Sequence, residues 1–470
     1  MKISCFLGIG ITTLGLTLTV KLLQAAEPAN WSLRPGDLAI IQQPQATPPF
    51  QQKHRQKQID LVRPEQYDLT TYPVTDANET HWRKTLWATA LLEPQQPYVA
   101  NALAEILALT DRPDLTNAQI RTVQMAMQIG TQLFLSNPQF YAGPQFYAGI
   151  GDRFQKTVEQ TPYPEWAGMA LSALVQGGLD KEITQEKLEK TKIRFSSVNS
   201  PDLKVAIADI AEQINPTPIP PLTDLLNWQI LPQQTHLYVL CRPDPSVLCR
   251  AVIKDRKGNF VRENSRPNAP IWSVPLLTRS LHGLRWHLTR GNTPQGIYRI
   301  EGTMPRSETP YFGAYGQFPL VKVFLPFESG VKSFIPTQST NFIQNIQNYQ
   351  TLLPPSWRGY APIEQAYWAG QLGRSLIRVH GSGEFPSFFA NNSRFPQSAG
   401  WNPAIGCLSA KELYNDDGSL KEADMPKFLQ ALSVAGGGQI EGYMVVSQVE
   451  GNSKQPISVA EIEAAIGAKK

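Results

Sequence analysis

Residues 215–224, NPTPIPPLTD, carry four prolines in ten positions. Proline fixes φ and supplies no N–H donor, so such a run continues neither a helix nor a central strand. The apolar period changes across it: the chain reads as helical before it and as short strands after it.

Upstream, LTNAQIRTVQMAMQIGTQLFL places Ile120, Val123, Met127 and Leu133 or Phe134 near one helical face, with Thr116 and Gln119 in the positions of a capping box. PEWAGMALSALVQGG predicts a second helix ending at paired glycines. In NSPDLKVAIADIAEQI, Ser200 caps, Pro201 takes the first turn, and Leu203, Ile207, Ile210 and Ile214 follow at helical spacing. The duplication PQFYAGPQFYAG at 138–149 is broken by Pro and Gly and reads as a loop, either displaying its aromatics or tolerating a repeat.

Downstream, THLYVLC, SVLCRAVI, GIYRIEG, PLVKVFLPF, RSLIRVHG and GYMVVSQVEG are alternating or apolar runs separated by Gly, Pro and Asn. Two helical stretches interrupt them, near 340–352 and 424–435. The chain is therefore expected to be multidomain, an N-terminal all-α helical domain followed by a mainly β catalytic domain. The expected boundaries are a signal peptide or anchor at 1–26, a Gln/Pro-rich tether at 27–75, the helical domain at 76–215, a Pro-rich linker at 216–225 and the catalytic domain at 226–470.

The first residues combine Lys2, a long apolar run and the small-residue exit LLQAAEP, the pattern of a secretory signal. The expectation is export to the periplasm or cell envelope, with the segment either cleaved or kept as a membrane anchor. The net charge of +4 is slight, and nothing in it points to nucleic acid. Of the four cysteines, Cys241 and Cys249 flank a turn containing Pro243 and Pro245 and are expected to form a disulfide in an oxidising compartment. Cys407 is then left over, either as a small buried residue or as a nucleophile.

A cysteine nucleophile needs a base, and all six histidines precede Cys407. Peptidases with cysteine first and histidine second cannot be built in that order. Sortases need an arginine after the cysteine, and none follows Cys407. The QAC-x-G surroundings of caspases are missing. His282 and His287, the one close pair, lack any zinc-binding context, so no metal or cofactor is expected. His380 stands at a strand end followed by GSG; it either serves the chemistry or bonds the turn after it.

These residues resemble the L,D-transpeptidase (YkuD-type) catalytic domain. GNTPQGIYRI is similar to the TP-x-G-x-[FY]-x-I turn and strand of that family, and the later HGS and GC are similar to its active-site pair. The resemblance implies a β-rich fold and acyl transfer on peptidoglycan stem peptides, with Cys407 as nucleophile and His380 as the upstream histidine. It puts Gly406, Gly381, Ser382 and Ser409 around the oxyanion and substrate.

The family motif Ser-His-Gly-Cys-x-Arg is here Ala404 to Ser409, without the second histidine and without the arginine. Arg374 or Arg378 is the expected replacement for holding a substrate carboxylate, and Trp401, in the aromatic connection between His380 and Cys407, is an expected substrate contact. An adjacent His380 is expected to raise the thiolate fraction of Cys407 by forming a thiolate–imidazolium pair. The alternatives are hydrolysis of the same peptides by a carboxypeptidase or amidase, or a non-catalytic peptidoglycan-binding envelope protein whose helical domain recruits a partner.

Overall fold

A computed structural model describes residues 43–136 and 148–467, apart from 306, 307, 310–312, 315, 332, 337 and 339–341. The expected leader at 1–26, the first part of the tether and all but the last two residues of the duplicated loop lie outside the described residues. The described residues fall in one compact unit. Among them, no helix is long and apolar enough to cross a membrane.

Eight helices come first: α1 (Pro48–Leu61), α2 (Glu79–Leu92), α3 (Pro97–Ala108), α4 (Asn117–Ser136), α5 (Ala148–Gln160), α6 (Pro164–Gln176), α7 (Lys181–Arg194) and α8 (Pro201–Ile214). The capping box forms reciprocally. The Thr116 N–H donates to Gln119 Oε1 at 2.9 Å and the Gln119 N–H to Thr116 Oγ1 at 3.3 Å. Ser200 Oγ accepts the Leu203 N–H at 3.2 Å, as its position before Pro201 requires. Residues 48–61, expected to be part of a flexible tether, are instead the helix α1. None of its residues is buried; it docks through partly buried positions, Leu61 against the helical core and His54 stacked on Phe388, ring centres 4.9 Å apart.

After the short α9 (Leu222–Asn227) come β1 (Thr235–Cys241), β2 (Cys249–Lys254), β3 (Ser273–Leu276), β4 (Gly296–Met304), the two-residue strands β5 (Glu308–Thr309) and β6 (Gly313–Ala314), and β7 (Leu320–Phe324). Helices α10 (Ile346–Thr351) and α11 (Gln365–Gln371) lead to β8 (Arg378–His380), β9 (Leu408–Ser409), β10 (Glu412–Tyr414), β11 (Leu420–Ala423), α12 (Met425–Ala435), β12 (Glu441–Gln448) and α13 (Val459–Gly467). All six runs read as strands are strands. Eight of the strands form one sheet in the order β3-β2-β1-β12-β4-β7-β8-β9. The β1–β12 and β8–β9 pairs are parallel and the others antiparallel.

The last strand made, β12, lies at the centre of the sheet. Its two edges meet: Leu277, just after β3, bridges Ser409 of β9, which makes the sheet nearly a barrel. Cys241 and Cys249 form the expected disulfide across the β1–β2 turn.

Side chains alternate across each strand. Val239, Ala251, Val274, Ile300, Val323, Val379, Leu408 and Met444 make one apolar face, covered by Phe428, Leu429 and Leu432 of α12. Tyr238, Val252, Ile297 and Tyr443 make the other, packed by Leu226, Tyr349, Tyr367 and Ile462 of the surrounding helices.

The helical half has its own core around Trp82, Leu86, Val123, Phe154 and Trp166, yet this core also takes in Leu281, Phe388 and Phe389 from the C-terminal half, with Ile405 packed against it. The two halves are further tied by Asp209 of α8, which accepts from Arg285 Nε at 2.7 Å, Arg285 Nη2 at 2.6 Å and Trp286 Nε1 at 2.6 Å. Glu93, just past α2, accepts from Arg394 at 2.9 Å and from Gln132 at 2.7 Å.

Candidate functional site

The parallel register of β8 and β9 sets Val379 opposite Leu408 and His380 opposite Ser409. One step back in that register, Cys407 comes beside Arg378. Alternation then puts Arg378, His380, Cys407 and Ser409 on one face of the sheet, while Val379 and Leu408 enter the apolar core on the other. His380 and Cys407 are thus diagonal neighbours across two strands, a placement that sequence spacing alone does not give.

Gly406 is held in a conformation open to glycine. Its φ is +123°, and a Cβ there would lie 2.6 Å from Arg374 Nη2. The Gly406 carbonyl accepts a hydrogen bond from Thr293 Oγ1 at 3.0 Å. Thr293 belongs to the NTPQG turn, so two sequence motifs more than a hundred residues apart meet at the residue before the cysteine. The TP-x-G pattern marks that turn but carries no signal that Thr293 reaches Gly406.

Arg374 does not fill the role expected of it. Its guanidinium donates to the carbonyls of Gly291 and Asn292, each at 3.0 Å, and to that of Trp286. It is buried, and it clamps the loop before Thr293 against Gly406 instead of waiting for a substrate carboxylate. Arg378 is likewise buried, donating to the Val323 carbonyl at 3.2 Å and the Ile377 carbonyl at 2.6 Å, over the Phe324 ring and 3.9 Å from Glu328. Both guanidiniums are largely withdrawn from solvent, because each satisfies main-chain carbonyls inside the protein.

Ser382 Oγ accepts from Asn402 Nδ2 at 2.7 Å, and Gly381 packs against the Glu412 carboxylate. Trp401 is half-buried under the ammonium of Lys411, 4.7 Å from the ring centre. Ser409 is buried, and its main chain closes the sheet.

The expected thiolate–imidazolium pair is not the resting arrangement. The Cys407 thiol donates to the Leu376 carbonyl at 3.5 Å. Burial pushes it up to about 11, against the Arg378 backbone N–H and the Arg378 and Arg374 charges, which favour the thiolate. Burial likewise pulls His380 down to about 4, against the bond between its Nδ1 and the Gly381 carbonyl at 2.6 Å. At neutral pH both groups are therefore uncharged. Desolvation outweighs the two nearby guanidiniums.

No family model, curated protein or solved structure matches the chain. The chemistry of the site rests on these residues alone.

The other histidines are accounted for by packing. His282 Nδ1 meets Gln132 Oε1 at 2.7 Å, and His287 lies 3.7 Å from Asp209. His54, assigned to the tether by its sequence context, reaches the connection between His380 and Cys407: its Nδ1 is 3.3 Å from Glu384 Oε1, and the Glu384 side chain is only 2% exposed. Phe388 and Phe389 of the aromatic connection are tucked into the helical core.

A cavity of about 580 Å³ opens where the helical half meets residues 287–290 and 372–374. Arg83, Arg121, Arg290 and Glu165 line it above an apolar floor that includes Trp166 and Met169. Arg374 stands at one end, with its other side against Gly406.

Proposed function

We propose that the chain is a cysteine acyltransferase acting on peptidoglycan stem peptides through a thioester on Cys407. The observation that carries this reading is the Thr293–Gly406 hydrogen bond. It supports treating the TP-x-G turn and the Gly-Cys segment as parts of one site, with His380 on the adjoining strand and the same face.

In the proposed reaction, a neutral His380 accepts the thiol proton once substrate is in place, and the sulfur attacks the carbonyl after the L-centre of the stem's diamino acid. Backbone N–H groups at Gly406 and Cys407 meet the developing oxyanion. The C–N bond to D-alanine breaks, and His380 returns the proton to the departing amine. An amine of a second stem then attacks the thioester, forming the crosslink and releasing the thiol; water in its place gives the hydrolase.

A second reading has one observation in its favour. The thiol is 7% exposed and pushed up to about 11, which suits a non-catalytic protein that binds stems. Incubating the protein and Cys407→Ala with stem tetrapeptides, with products followed by mass, separates the possibilities. Crosslinked dimer with D-alanine release supports the transferase and D-alanine alone the hydrolase, whereas no Cys407-dependent product leaves the binder.

A further inference from the structure

The turn that joins α11 to β8 has three features that belong together. First, it covers the candidate nucleophile, because the Leu376 carbonyl accepts the Cys407 thiol at 3.5 Å. Second, it is held shut from beneath: Glu328, its side chain 2% exposed, accepts the Leu376 N–H at 2.9 Å through Oε1 and the Leu325 N–H at 3.1 Å through Oε2. Third, Leu376 is in an unfavourable state. Its φ is +62°, a region that residues with a Cβ enter at a cost, and its side chain is 70% exposed.

The turn begins at Gly373, φ +83°, whose N–H closes on the Gly370 carbonyl at 2.9 Å. Leu372 and Arg374 also form an end wall of the 580 Å³ cavity. The segment that shields the sulfur is therefore continuous with the wall of that cavity. Arg374 stays clamped to the carbonyls of Trp286, Gly291 and Asn292, whereas the strained Leu376 beyond it is tied down by the Glu328 carboxylate, so Leu376 is suited to swinging away while Arg374 stays in place.

We propose that Ser375 and Leu376 are a gate over Cys407 that moves against the fixed Arg374 at the wall of that cavity, with Glu328 as its latch and as a positioning residue for the thiol. The cavity is where the substrate waits. Its lining carries both arginines and carboxylates above an apolar floor, which matches a peptide bearing ammonium and carboxylate groups. This rests on the reading of Cys407 as nucleophile.

The test needs no substrate. Cys407 is alkylated with iodoacetamide at fixed pH in the full-length folded protein, and the modified peptide is followed by mass. Leu376→Val makes the left-handed turn harder to hold and Glu328→Gln weakens the latch. Each is expected to speed alkylation about five-fold or more, while the thermal melt and far-ultraviolet circular dichroism stay those of a folded chain.

In the wild type, hydrogen exchange at the Leu376 amide is expected to be slow and to track the alkylation rate, since one opening exposes both. Unchanged alkylation in folded variants, or a Leu376 amide that exchanges like an open loop, overturns the gate. If alkylation follows the gate and stem peptides still give no Cys407-dependent product, the gate stands and the acyltransferase reading falls.

Discussion

Leu277 and Ser409 exchange both of their main-chain hydrogen bonds, each at 2.9 Å. This pair joins the two edges of the eight-stranded sheet and fixes the chain two residues past Cys407. Thr293 and Arg374 fix it one residue before. The cysteine therefore sits in a segment whose backbone is held on both sides, while access to its sulfur is controlled separately.

Gly406→Ala is expected to destabilise the protein by about 1–3 kcal/mol, because alanine pays for φ +123° and its methyl meets the Arg374 guanidinium. Urea unfolding checks this. Alanine at Gly178, which also has positive φ but nothing within 4 Å, is the control for backbone strain alone. Equal losses at the two sites would mean that the Arg374 contact adds nothing.

Ile405→His, which introduces the histidine that the L,D-transpeptidase motif has at this place, is expected to lower stability by about 1–3 kcal/mol without raising turnover. Ile405 packs against the helical core, and a ring nitrogen placed there leaves water for an apolar surface. A stem-peptide assay beside a denaturation curve decides it. A gain in turnover would show that the position faces the reacting atoms.

Asp209→Asn is expected to cost about 1.5–3 kcal/mol, since it takes the counter-charge from the partly exposed Arg285, which bonds the buried Asp209 carboxylate twice. Burial pushes the Asp209 carboxyl up, but the doubly bonded Arg285 outweighs it and holds the group below its ordinary value of 3.8. The stabilisation is fully present above that value and is lost as pH falls through the lower folded one. The gap between wild type and variant in denaturant midpoint should narrow only in strongly acidic buffer.

Four histidines give the protein a second acid sensitivity at higher pH. Burial pulls His236, His287 and His380 down to about 4 and His282 to about 3. The unfolded chain takes up these protons first, near pH 6.5, so the stability that the neutral rings contribute is complete above that value and drains away toward pH 4. Between about pH 7 and about pH 5 the unfolding free energy should drop by about 1–2 kcal/mol per histidine. Urea titrations at the two values test this, and a flat profile would mean that the rings are hydrated.

The sequence shows most where a local rule sufficed. Thr116 and Gln119, Ser200 before Pro201, and the six strand runs each carry their own signal within a few residues. α1 lacks one: PPFQQKHRQKQ has no apolar face, and the helix is docked by His54 on Phe388, far away in the chain. Arg374 departs from its expected role for a similar reason. An arginine near a cysteine suggests anion binding, whereas the carbonyls of Trp286, Gly291 and Asn292 that engage it become neighbours only after folding. The same holds for Leu376 and Glu328, whose importance lies in a left-handed backbone and one hydrogen bond that no pattern of residue types reveals.

The position of β12 also governs how the chain can be made. β1 and β4 border it on either side, so the middle of the sheet is missing until residues 441–448 have been synthesised. Until then two long strands carry unsatisfied main-chain edges, and a ribosome that stops short of residues 441–448 releases a sheet held together only through the Leu277–Ser409 pair, its β1 and β4 edges open to aggregation. Assembly is consequently a late, long-range event, slow by its topology, and a truncation of the last thirty or so residues is expected to abolish the fold far more surely than one at the exposed helix α1.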